Sequence, residues 1–99
     1  MLNERVSIII PIFKVRNFIE RSVCSLFEQT LKDVEYIFVD DASPDDSVDI
    51  LKSCVDRYPE RKNQITILTH EQNQGLPAAR NTGLAVATGE YVFHCEKIN

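Results

Sequence analysis

The chain has 99 residues, 43% of them apolar, and a formal net charge of −4 at pH 7. That length allows one small domain with a modest core, because roughly a third of the unfolded surface still faces water at this size. An acidic balance with no basic cluster argues against nucleic acid or an anionic membrane as the main partner, and the longest apolar runs fall far below the ~20 residues of a membrane span.

The opening Met1-Leu2-Asn3-Glu4-Arg5 lacks the basic and long apolar regions of a secretory leader, so a cytoplasmic location is expected. Val6 to Phe13 is apolar and rich in β-branched residues, as a strand covered on both faces requires. From Arg16 to about Thr30, Phe18, Ile19, Val23, Leu26 and Phe27 recur at helical spacing. Glu35 to Asp40 returns to strand and completes a βαβ unit. Ser43 suits an N-cap and Pro44 the first helical position, which predicts a second helix with Val48, Leu51, Val55 and Tyr58 on one stripe. Pro59 closes that helix, a polar loop runs through Asn63, and Ile65 to Thr69 forms a short third strand. Asn73-Gln74-Gly75 marks a turn, Pro77 opens a third helix through about Ala87, Gly89 ends it, and Glu90 to His94 starts a fourth strand.

Right-handed crossovers make such an alternation a parallel, doubly wound sheet, which binds its ligands at the carboxyl edge of the strands. The apolar run Tyr36-Ile37-Phe38-Val39 delivers Asp40 and Asp41 to that edge. Lys14-Val15-Arg16 follows the first strand without a glycine, which excludes a dinucleotide fingerprint and a P-loop. Cys24, Cys54 and Cys95 match no zinc or CxxC spacing and read as reduced thiols without assigned chemistry.

Five motifs in order, Val6-Ser7-Ile8-Ile9-Ile10-Pro11-Ile12-Phe13, Ser25-Leu26-Phe27-Glu28-Gln29-Thr30, Val39-Asp40-Asp41-Ala42-Ser43, Asn73-Gln74-Gly75 with Ala79-Arg80-Asn81, and Gly89-Glu90-Tyr91, carry a resemblance that covers nearly the whole chain. It resembles the N-terminal, nucleotide-sugar-binding part of a family 2 inverting glycosyltransferase. The resemblance implies a three-layer α/β/α, Rossmann-like sandwich of the GT-A type, with a parallel sheet in the order 3-2-1-4 that stops after its fourth strand. Residues 1–99 are then an incomplete domain. The implied activity is transfer of a sugar from a nucleotide-sugar donor, commonly a UDP-sugar, to an acceptor hydroxyl, in polysaccharide biosynthesis. A saccharide or lipid-linked acceptor, and contact with the inner face of a membrane, go with that reading.

The site residues carried over are Pro11, Phe13, Asp40, Asp41, Arg80 and Asn81. Asp41 is expected to accept a hydrogen bond from the base, as the matching family acid does from the uracil imide, because an ionised carboxylate only accepts. A loop cap is its structural alternative, and Asp40 either touches the ligand or orients the loop. Pro11 by its backbone and Phe13 by its ring would line the base pocket, unless the ring is simply core. Arg80 lies in the first turns of a helix whose free N–H groups already favour an anion, where its guanidinium complements a diphosphate; a surface salt bridge is the plainer alternative. Asn81 either holds the turn or touches donor, and Lys14 and Arg16 are left as solvated charges.

The pattern then breaks. The family places an Asp-X-Asp cluster after the fourth strand to hold a divalent metal, manganese or magnesium. Here His94-Cys95-Glu96 follows, and consecutive strand residues point to opposite faces, so neither the three together nor Glu96 alone makes a metal site. Catalytic residues are not assigned, and the segment by itself is expected to be inactive and to self-associate through uncovered sheet surface. A nucleotide-binding or structural module without catalysis is the alternative. A phosphoacceptor receiver domain is disfavoured, since its acids follow the first strand rather than the second.

Overall fold

The structure is a computed structural model, and it describes residues 5–95. Strands β1 (Val6–Ile12), β2 (Val34–Asp40), β3 (Ile65–Thr69) and β4 (Tyr91–His94) alternate with helices α1 (Ile19–Phe27), α2 (Ser47–Asp56) and α3 (Leu76–Val86). All three strand pairs are parallel, and the order is β3-β2-β1-β4, as expected. The register sets Ile8 against Tyr36 and Phe93, and Ile9 against Ile37 and His94.

Alternation along β1 and β2 divides the core between two faces. On one, Ile10, Ile12, Tyr36 and Phe38 meet Ile19, Val23 and Phe27 of α1 and Leu51 and Cys54 of α2. On the other, Ile9, Ile37 and Val39 meet Ala79 of α3. The central strands are thus covered on both sides, which is why their sequences are continuous rather than alternating apolar runs. Phe27 packs edge-on against Tyr36, Phe38 and Tyr58, with ring centroids 5.2, 6.1 and 5.4 Å away.

Four expectations shift. α1 ends at Phe27 rather than Thr30, and buried Arg61 satisfies carbonyls at and beyond that end, donating to Phe27 O at 3.0 Å, Gln29 O at 2.7 Å and Leu31 O at 3.0 Å. Arg61 sits in a 3-10 helix, Pro59–Gln64, where the sequence suggests only a polar loop. α2 starts at Ser47 instead of after Ser43, because the Ser43 hydroxyl is already engaged, donating to Asp45 at 2.6 Å and accepting the Lys14 N–H at 2.8 Å. α3 is over at Val86, so Gly89 does not cap it. Gly89 instead lets the chain pass close to β1: its N–H donates to Ser7 Oγ, and a Cβ there would lie 2.7 Å from the Ser7 nitrogen.

Candidate functional site

The carboxyl edge of the sheet is built where β1 and β2 end. The β1–β2 connection runs through α1 on one face and the β3–β4 connection through α3 on the other, so the crevice where the winding reverses lies between β1 and β4. Ile9 O accepts from Cys95 N on the β4 side, while Ile12 O accepts from Asp41 N on the β2 side. Pro11, two residues from Ile9, therefore directs its carbonyl toward β4, beyond the last β1–β4 pair of the described residues at Ile9–His94. Its ring is buried, and its missing N–H falls where no β1–β4 pairing continues among those residues.

Both non-glycine residues with positive φ among the described residues sit at this edge, Lys14 at 54° after β1 and Ala42 at 57° after β2. Such backbone is costly for L-residues, and the Lys14 N–H to Ser43 Oγ bond ties the two loops together. Phe13, 37% exposed, projects from the end of β1 with Lys14 Nζ 5.3 Å from its ring centroid. Arg16 is engaged with Asp46 at 2.6 Å, away from any ligand role. Burial pushes the Asp45 carboxyl up, but the hydroxyls of Ser43 and Ser47 and the Ser47 N–H outweigh it and bring it down to about 2.

Asp41 is 3% exposed, and its carboxylate accepts four hydrogen bonds. Oδ1 takes them from His70 Nδ1 at 2.9 Å and Gln74 N at 2.8 Å; Oδ2 takes them from Asn73 Nδ2 at 3.0 Å and Gly75 N at 2.9 Å. A carboxylate offers about four lone-pair positions, so all are in use. Burial raises this carboxyl, and the bonds from His70, Gln74 and Gly75 more than offset it and hold it below the usual carboxylate range. A base imide could reach Asp41 only by displacing one of these donors. In this arrangement the acid shapes the loop between β3 and α3, whose last residue, Gly75, has φ 93°. The Asp40 carboxylate accepts from Ser43 N at 2.9 Å and so orients the following turn.

His70 is the buried residue of this edge that the sequence reading passes over. It follows β3 directly, its N–H donates to Asp40 O at 2.8 Å, and its ring joins Asp41 to Thr82 Oγ1 on α3, 2.7 Å from Nε2. With Asp41 ionised, Nδ1 carries the proton, which ties the β2 edge to the helix that bears Arg80. The signal was its position, a polar ring at the first residue past a strand's carboxyl end.

Arg80 and Asn81 come together with Pro77, Leu84 and His94 around a surface concavity of about 400 Å³ beside the β1–β4 crevice. Pro11, Phe13, Asp40 and Asp41 do not line it; they form the neighbouring part of the edge. His94 faces this α3 side, whereas Cys95 packs against the α1–α2 face. That opposed placement separates two of the three candidate metal ligands, and Glu96 lies outside the described residues. Among the described residues no three His, Cys, Asp or Glu side chains are grouped to hold a metal, so the divalent ion implied by the resemblance does not fit them. No helix of the described residues is long and apolar enough to cross a membrane.

The profile of the family described as "Glycosyl transferase family 2" matches residues 7–95. The chain is similar to an uncharacterized glycosyltransferase, EpsJ, of Bacillus subtilis, at 44% identity over 88% of this chain and 24% of the relative. Its fold is similar to that of the mannosyltransferase PcManGT from Pyrobaculum calidifontis, solved with GDP-Man and Mn2+, with TM-score 0.84 and 29% identity over 93% of this chain and 27% of that one. It is also similar to S. aureus TarS 1–349 in complex with UDP-GlcNAc, with TM-score 0.77 and 27% identity over 91% of this chain and 25% of that one. The chain thus spans about a quarter of the length of these proteins.

Proposed function

Because the chain belongs to glycosyl transferase family 2 and has the GT-A sheet, we propose that it forms the donor-binding part of an enzyme that moves a sugar from a nucleotide-sugar, a UDP-sugar, to an acceptor hydroxyl. The observation that carries this reading is the concavity lined by Arg80, Asn81 and His94 beside the point where the sheet's winding reverses. The solved neighbours hold UDP-GlcNAc or GDP-Man, which supports a nucleotide-sugar as the donor class. The base rests against the Phe13 ring and the Pro11 carbonyl, with Asp40 at its side. Asp41 acts chiefly by holding residues 73–75, and through His70 and Thr82 it sets the position of α3. Arg80 meets the diphosphate from α3, where the helix N-terminus reinforces its charge, and Asn81 lies next to it.

A divalent cation, as the Mn2+ of PcManGT suggests, would supply charge for the leaving diphosphate in the longer enzyme, held by residues other than those described. The proton acceptor for the acceptor hydroxyl and the saccharide or lipid-linked acceptor itself also belong to that longer protein, located in the cytoplasm at the inner face of a membrane. The 99 residues bind donor without transferring it.

An amide NMR titration with UDP tests the reading on three chains: wild type, Phe13→Ala and Arg80→Ala. Both changed side chains reach solvent, so the fold should persist. Shifts at the ends of β1 and β2 and in α3, reduced in each variant, are expected. A folded wild type that shows no shift up to millimolar UDP would leave a structural module as the better account.

A further inference from the structure

The α1–α2 layer, on the sheet face opposite α3, carries a second chemical feature. Cys24 of α1 and Cys54 of α2 both accept a hydrogen bond from the same nitrogen of Arg57, at 3.2 and 3.3 Å. The same nitrogen meets Glu20 at 3.0 Å. Cys54 is fully buried, Cys24 is half-buried, and neither is in a disulfide. Burial, with the neighbouring Cys24 thiol adding to it, pushes the Cys54 thiol up, and Cys24 is the one of the pair that reaches solvent.

We propose that Cys24 and Cys54 are a redox-active dithiol that a small-molecule disulfide oxidises to an internal cross-link between α1 and α2. The Cys24 thiolate attacks one sulfur of the reagent, whose S–S bond breaks; a mixed disulfide forms on Cys24 and one thiolate leaves. Cys54 then releases its proton to water and attacks Cys24 Sγ, which expels the second thiolate. Two electrons pass from the two cysteines to the reagent, which ends as two thiols. Arg57 gathers both sulfurs on one nitrogen, which keeps Cys54 Sγ near the mixed disulfide on Cys24. Cys95, the residue after β4, packs against the same core but is not one of the sulfurs bonded to Arg57, and serves as the internal comparison.

The inference is independent of the donor site, and its test uses no nucleotide. The reduced full chain is incubated with oxidised glutathione, denatured, alkylated and mapped by peptide mass spectrometry. Alkylatable thiols should fall from the three of the sequence to one, with a peptide pair joined through Cys24 and Cys54 and lighter by two hydrogen atoms. Cys54→Ser should stop at a glutathione adduct on Cys24. The proposal is overturned if wild type stops at that adduct, or if Cys95 is consumed as fast as Cys24.

Discussion

Replacing Asp41 with Asn removes one acceptor atom from a site that needs two. With the amide oxygen in the Oδ1 position, His70 and Gln74 keep their acceptor, but the new NH2 faces the Asn73 amide and the Gly75 N–H. Flipped, it faces the Gln74 N–H and His70 Nδ1, and the imidazole can answer only by changing tautomer. The exposed Asn73 amide can turn to water, so the loss falls chiefly on the Gly75 N–H, and an unmatched donor of this kind should destabilise the fold by about 1–3 kcal/mol. A chain of this size has about 5–15 kcal/mol in total, and a loss of ~3 kcal/mol lowers the thermal midpoint by roughly 12–24 °C. Urea unfolding of wild type and variant measures the difference, with the exposed Asp49→Asn as a control expected within about 0.5 kcal/mol of wild type.

The pH dependence checks the mechanism behind that number. Because the Asp41 carboxyl lies below its ordinary value of 3.8 in the fold, its contribution is present above that value and is lost as pH falls through the folded one. The gap between wild type and Asp41→Asn should therefore be wide at neutral pH and shrink below about pH 4. A variant less than about 1 kcal/mol below wild type at pH 7, or a gap that does not narrow as the pH falls below about 4, would refute the account of Asp41 as the organiser of the loop.

Arg61→Met should cost about 2–3 kcal/mol in the same urea experiment, because three α1-end carbonyls lose their donor. Arg61→Lys should not restore it, as one ammonium cannot reproduce the planar fork; full recovery with Lys would count against the cap. The edge strand β4 leaves Tyr91 and Phe93 50% and 59% exposed, and we expect the chain to self-associate with rising concentration in light scattering. A monomer that persists throughout would remove that expectation.

Much of the fold was legible in residue order. Strands buried on both faces need unbroken apolar runs, and Val6–Ile12 and Val34–Asp40 have them. Helices against one face need apolar residues every three or four positions, and Ile19, Val23 and Phe27 supply them. The five ordered motifs carried the strand order and the family through the resemblance they make together. Local patterns failed at element ends. Ser43 has the chemistry of a cap, yet Lys14 from another loop and Asp45 engage its hydroxyl first. Gly89 looks like a helix stop, and its use is the close passage beside Ser7. Periodicity reports which face a residue occupies, but a hydrogen-bond partner 29 or more positions away depends on how the crossovers bring loops together. That is why the sequence by itself determined the layered parallel sheet and the acids at its edge. Only the tertiary structure decided that Asp41 is filled by His70 and residues 73–75, that Arg61 caps the chain leaving α1, and that Cys24 and Cys54 share one guanidinium.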